Sequence, residues 1–260
     1  MSSGVHSKFQ NRCIAFVDIL GFSDIVERMS TDDRLFKTIQ GELHNLDKLS
    51  LYFQKYRKEN IQKAKVLEQR GFLSLTSPSD LQMTAFSDSY VISELMPGWH
   101  VLAAVQGLGS RLLAQGILTR GGIVRGEAYH QKRIVFGPGV ITAYKLERDV
   151  AKYPRILVDD KVREEIWGYH KGGIWNRQLL KKDHDGCWYL NLLTPSQSSW
   201  KPISNVKTNE NVKSHLKSVR HSLLRSWKRV QNDPGHKSKV RWMIHQFNQA
   251  AADYKIDRID

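Results

Sequence analysis

The sequence predicts an α+β fold: a ferredoxin-like βαββαβ antiparallel sheet with helices on one face and a C-terminal helical extension. Three observations predict it. A strand-type apolar run at 14–17 ends on Asp18, and a helical pattern starts within a few residues. Two short alternating runs meet around Ser87-Asp88-Ser89 as a hairpin. An amphipathic helix, a glycine-bearing strand, another helix and a last strand follow, which gives the order β-α-ββ-α-β and then α-β.

Residues 1–11 read as a loose arm. The first strand covers about 12–18. A helix follows Phe22 and stops near Ser30, with Ile25, Val26 and Met29 on one face. Ser30-Thr31-Asp32-Asp33 is a capping signal for a second helix. That helix carries Leu35, Phe36, Ile39, Leu43, Leu46, Leu49, Tyr52 and Phe53 at helical spacing, to about Tyr56. Residues 55–70 are a charged, weakly periodic continuation, and 71–80 a loop. The hairpin spans 81–95, and Pro97-Gly98 breaks it. Val101, Leu102, Val105, Leu108, Leu112 and Leu113 mark a helix ending near Gly116. Residues 118–129 form a strand whose glycines stand where a Cβ would obstruct something. A short run at 134–136, a helix over 140–150 and a strand over 155–158 complete the unit. Asp185-Gly186 reads as a hairpin turn before a strand at 187–193, with His184 as turn polarity rather than a metal ligand. Helical patterns cover 207–230 and 238–251, separated at Pro234-Gly235. The domains are therefore an arm (1–11), one domain (12–200) and a basic helical extension packed on it (201–260).

With 260 residues, 40% of them hydrophobic, the chain can bury a sizeable core. No run is apolar enough to cross a bilayer, and the first residues lack a signal-peptide core. Cys13 and Cys187 make neither a disulfide framework nor a zinc cluster, which fits a reducing cytoplasm. The net charge of +14 favours phosphate-bearing partners. The basic stretch after Lys201 reads as a solvated helical face, and no nucleic-acid motif accompanies it. Neither a membrane nor a nucleic-acid partner is expected.

Asp18 at a strand tip suits a hard cation, and the turn at Gly21-Phe22-Ser23 aims backbone N–H groups at an anion. Taken alone, the stretch is equally an ordinary strand–turn–helix. The hairpin adds a second acid, Asp88. Two opposed carboxylates imply a divalent ion or a raised pKa.

Four blocks resemble the catalytic domain of class III nucleotidyl cyclases, in family order over about 12–160. They are Phe16-Val17-Asp18-Ile19-Leu20-Gly21-Phe22-Ser23, Phe86-Ser87-Asp88, Arg120-Gly121-Gly122-Ile123-Val124-Arg125-Gly126-Glu127, and Gly137-Pro138-Gly139-Val140 through to Leu146-Glu147. The resemblance implies a fold of that type. It also implies a nucleoside triphosphate held with two divalent ions, Mn²⁺ or Mg²⁺, its 3′-hydroxyl closing on the α-phosphorus with loss of pyrophosphate. It assigns Asp18, Asp88 and the Ile19 carbonyl to the ions, and Gly21, Phe22 and Ser23 to phosphate. It further implies a head-to-tail homodimer with shared sites. The family's Asn/Arg pair falls on Ile141 and Lys145, so Lys145, with Arg125 or Arg148, is left to meet the α-phosphate. The purine-reading lysine falls on Thr84, and its partner position on Ile134. Thr84 either contacts the base or only packs. In these departures the chain is similar to the pyrimidine cyclases of bacterial Pycsar anti-phage systems. That implies UTP as substrate, cyclic UMP as product (cyclic CMP as the alternative) and a separate effector that receives the product. A degenerate cyclase fold that binds nucleotide or RNA without turnover is the reading of another class.

Overall fold

β1 (Gln10–Ile19) sits mid-sheet because both of its faces are apolar. Cys13, Ala15, Val17 and Ile19 point into the main core, and Ile14 and Phe16 into a smaller cluster on the opposite face. The computed structural model describes residues 8–59, 79–95, 98–169, 179–195 and 208–260. After β1 come α1 (Phe22–Met29), α2 (Asp33–Glu59), β2 (Gln82–Phe86), β3 (Ser89–Glu94) and α3 (Trp99–Ala114). Then follow β4 (Thr119–Gln131), β5 (Ile134–Phe136), α4 (Pro138–Lys145) and a π-helical turn (Leu146–Val150). β6 (Ile156–Val158), α5 (Asp160–Tyr169), β7 (Leu180–Lys182), β8 (Trp188–Leu190), α6 (Thr208–Arg229) and α7 (Pro234–Tyr254) complete the chain.

The sheet order is β2-β3-β1-β4-β6-β8-β7, with β5 folded back on the end of β4. Its pairs are antiparallel except β4 with β6. This is the expected α+β arrangement of a mostly antiparallel sheet with helices. One part of the expectation is corrected: the helices do not all share a face. α3 covers one side, while α4 lies across the other, Ala143 and Val140 packing with Ile14, Val124 and Ala128. The close approach needs glycine. A Cβ on Gly122 would sit 2.6 Å from the Ala143 carbonyl, and one on Gly126 2.7 Å from the Gly139 Cα. These are the obstructions the sequence of β4 foretells.

α3 is apolar nearly all round because it is packed on two sides. The sheet lies against one side, and Leu216, Val219 and Leu223 of α6 belong to the same core, all fully buried. Each such leucine or valine contributes roughly 1.5–3 kcal/mol. The basic C-terminal helices thus share the core of the sheet domain. Pro234-Gly235 is not a break between helices but the first turn of α7. Asp233 caps it, accepting from the His236 N–H, and proline suits a position whose N–H needs no partner.

α5 and β7 have weak sequence signals. α5 buries only Val162 and Ile166 among its described side chains, and β7 is a Leu-Lys-Lys triplet without alternation. Expectations that fall on 1–7, 60–78, 96–97, 170–178 or 196–207 lie outside the described residues. Among the described residues no helix is long and apolar enough to cross a membrane.

Candidate active site

Asp18 is in register with Ser89 on one side and Arg120 on the other, at the end of β1. Asp88 occupies the tip of the β2–β3 hairpin. Its carbonyl accepts from the Ile19 N–H at 2.9 Å, which ties the tip to β1. The Ser89 hydroxyl lies 3.4 Å from Asp18 Oδ1 and 3.4 Å from Asp88 Oδ1. The two carboxylate oxygens therefore lie within twice that distance of each other, on one side of the sheet. Ser87, the first turn residue, holds φ at 55°. A non-glycine residue there costs on the order of 1 kcal/mol, and that conformation presents Asp88 toward β1.

Asp18 is pushed up to about 6. Burial is the main cause, followed by the negative charges of Asp88 and Glu147; Arg120 and the Ser89 hydroxyl pull the other way. Glu147 is buried in the π-helical turn and ion-paired to Arg120 at 2.5 Å. Neither Arg120 nor Glu147 was marked by the sequence as a site residue, although both stand in the matched blocks. Only the β1–β4 register and the wider turn of the π segment bring them to Asp18. Among the described residues no three or more His, Cys, Asp or Glu side chains are placed to hold a metal. The pair nevertheless fits a hard divalent cation. Its donors are carboxylate oxygens, and the like-charge repulsion that raises Asp18 is what a cation between them would relieve.

The β1–α1 turn follows directly. Gly21 has φ 70°, and the N-terminus of α1 has no side-chain cap, so the amides of Phe22 and Ser23 stand where a helix leaves its donors unpaired. The imidazole of His236, in the first turn of α7, closes on this turn. A Cβ on Gly21 would lie 3.1 Å from its Nε2.

Arg125 does not join the group. It lies five residues beyond Arg120 on β4, hence on the opposite face, beside Cys13. Its guanidinium is buried and bonded through two nitrogens to Glu165 of α5. The expectation that it meets the α-phosphate is replaced by a structural role, because a buried, paired guanidinium on the far side of the sheet cannot approach a ligand at Asp18. Lys145 is exposed in the last turn of α4; its charge helps keep Asp149 low and is not among those acting on Asp18. Arg148 is exposed, bonded to Asp149 and set over the Tyr144 ring. Ile141 is also exposed.

Thr84 is drawn into a chain of bonds in which each proton can be assigned. Its hydroxyl donates to the Lys132 carbonyl at 3.2 Å, so it accepts from His130 Nε2 at 3.0 Å. His130 Nδ1 then accepts from the Ser93 hydroxyl, 2.7 Å away, and Ser93 Oγ accepts from Arg12 Nε at 2.8 Å. Thr84 has no proton left for a base and can only accept. Burial and the nearby Arg12 charge push His130 down to about 3, so it folds neutral. A depressed histidine stabilises fully above its unfolded pKa of about 6.5 and loses that contribution as pH falls toward 3. Between pH 7 and pH 5 the loss is expected to be ~2 kcal/mol. Unfolding free energies from urea titrations at the two pH values should differ less in His130→Gln by about that amount.

No protein-family model matches the chain, and no curated protein does. Among solved structures it is similar to the adenylyl cyclase CyaB from P. aeruginosa, at 14% identity over 71% of this chain and 95% of that one, with a TM-score of 0.42. It is also similar to the catalytic core of a rhodopsin-guanylyl cyclase with converted specificity, in complex with ATPalphaS, at 16% identity over 70% and 96% with a TM-score of 0.35. A third is the monomeric guanylyl cyclase domain of the RhoGC fusion protein from the aquatic fungus Blastocladiella emersonii, at 15% over 70% and 95%, TM-score 0.35.

Proposed function

We propose that the chain is a nucleotidyl cyclase that converts UTP to 3′,5′-cyclic UMP and pyrophosphate, a messenger for anti-phage defence acting on a separate effector. The observation that carries the reading is the meeting of Asp18 and Asp88 beneath the uncapped N-terminus of α1. Asp18, Asp88 and the Ile19 carbonyl would hold two divalent cations, Mn²⁺ or Mg²⁺. Bound there, such ions supply charge neutralisation for the triphosphate and make its 3′-hydroxyl more acidic. The amides of Gly21, Phe22 and Ser23 orient phosphate oxygens. Lys145 contributes the remaining mobile positive charge. Thr84, where purine cyclases carry lysine, offers an acceptor toward a donor such as the uracil N3–H. The choice of uracil over cytosine follows the resemblance.

Lys145 stands on an exposed helix and Asp18 in the sheet, so a partner copy completing the site is the natural arrangement. Phe86, Ile134, Phe136, Ile141 and Tyr144 are all at least 40% exposed in the single chain, more apolar surface than water tolerates cheaply. We expect a homodimer by light scattering, and Ile141→Glu to shift it to monomer.

One observation favours a second reading. With Ile141 apolar and both Arg125 and Arg148 committed to carboxylates, Lys145 alone is left of the expected transition-state groups, as in a fold that binds nucleotide without turnover. Incubation with Mn²⁺ and each of the four NTPs decides. Cyclic UMP formation is expected. No cyclic product from any NTP would leave the non-catalytic reading.

A further inference from the structure

A concave site lies along α7, lined by none of the residues assigned to the carboxylate pair. Between α7 and the β7–β8 hairpin is a cleft of about 780 Å³, within the size range of small-ligand pockets. It opens at the β7 edge of the sheet, four strands from β1. Its walls carry Lys181, Lys182 and Arg241. Among the described residues none of the three has a carboxylate at ion-pair distance; Lys182 and Arg241 instead stand over the rings of Trp188 and Trp227. The one acid in the wall, Asp183, is already engaged by Arg155 and by His184. Lys181 is half-buried, and burial lowers its pKa against the opposing pull of Asp253. Burying a cation that has no carboxylate at bonding distance is costly, and an anion in the cleft would reduce that cost.

The back of the cleft is aromatic. Tyr153 and Trp242 stack with centroids 5.7 Å apart and planes 5° apart, and Tyr189 meets Trp242 edge-on. The Tyr189 hydroxyl donates to Gln246 at 2.8 Å, which fixes that wall. Trp242 Nε1 is a buried donor without a partner among the described residues. Unpaired cations beside a flat aromatic wall suit a planar ring bearing phosphate.

α7 touches both the β1–α1 turn and the cleft. Its first turn places His236 against Gly21, and its following turns supply Ser238, Arg241 and Trp242 to the cleft. We infer that the cleft is a second binding site for a mononucleotide-class ligand, a flat ring carrying phosphate, whose occupancy reaches the β1–α1 turn through α7. The binding stands apart from the cyclase reading; the effect on turnover rests on it.

The test uses the full chain in EDTA, which denies the carboxylate pair its cations, with UMP and AMP as probes in equilibrium dialysis. Saturable binding is expected, unchanged in Asp88→Asn and weakened at least tenfold in Lys181→Glu and in Arg241→Glu. Arg241 is exposed, so its reversal tests the site even if the Lys181 variant does not fold. No saturable binding, or binding indifferent to Arg241→Glu, overturns the site. Tighter binding of a single-stranded RNA oligonucleotide than of either mononucleotide overturns it in favour of a nucleic-acid surface. For the coupling, UMP should change the wild-type rate of cyclic product at least threefold and leave that of His236→Ala unchanged. Equal responses in both overturn the route through α7, while dialysis reports the site independently.

Discussion

Asp18→Asn is expected to abolish cyclic-nucleotide formation, by 10³-fold or more, while making the cation-free protein more stable. The activity loss corresponds to at least ~4 kcal/mol of transition-state stabilisation, since Asp18 and Asp88 would hold the cations together. The stability gain has the opposite sign for an electrostatic reason. Asp18 is raised from 3.8 to about 6 in the fold. A raised group favours the fold below its unfolded pKa and loses that contribution as pH rises through the folded one. At pH 8 the ionised carboxylate therefore works against folding. Because Asp18 is only half-buried, solvent screening reduces the effect to about 1 kcal/mol. Thermal melts in EDTA at pH 5 and pH 8 should show the wild type losing stability at pH 8 relative to Asp18→Asn. Added Mn²⁺ should raise the wild-type Tm and leave the variant unchanged. A variant as active as wild type, or equally stabilised by Mn²⁺, would remove Asp18 from the site.

Arg155→Ala is expected to be the most destabilising single substitution among the charged residues described. Arg155 is 1% exposed and sits just before β6, bonded to Asp183 at 2.5 Å and to Asp185 through two nitrogens. Its hydrogen bonds, with its charge adding to them, hold Asp185 well below the usual carboxylate range. Removing it leaves the buried Asp183 carboxylate without its guanidinium, at a cost of about 3–5 kcal/mol. In a chain of this size that is a Tm drop of roughly 6–20 °C. Arg155→Met combined with Asp183→Leu should recover much of the loss, because no uncompensated charge then remains at that position. If the single variant melts within a degree or two of wild type, the pair is not a structural clamp on the β7–β8 turn.

The strands and helices nearest the site were legible because each announces itself locally. An apolar run ending on Asp18, a Ser-Asp-Ser turn and the glycines of β4 are signals of a few residues, and they hold in the fold. Local sequence says nothing of which face a side chain takes once strands are paired. Arg125 and Arg120 are both basic residues of one strand, and only the odd spacing within the β1–β4 register sends one to Glu165 and the other toward Asp18. The same limit hid the engagement of Thr84 with His130, which joins residues 46 positions apart.

The sequence by itself determined the element order, the two acids at strand and hairpin tips and the glycine-rich face, since these depend on neighbours along the chain. Tertiary structure alone decided that Glu147 shares the field of Asp18, that α4 crosses the other face of the sheet, and that α7 reaches back to Gly21. Each of those is a contact between segments far apart in the chain. Its closeness is set by how the core packs rather than by any local preference of the residues that make it.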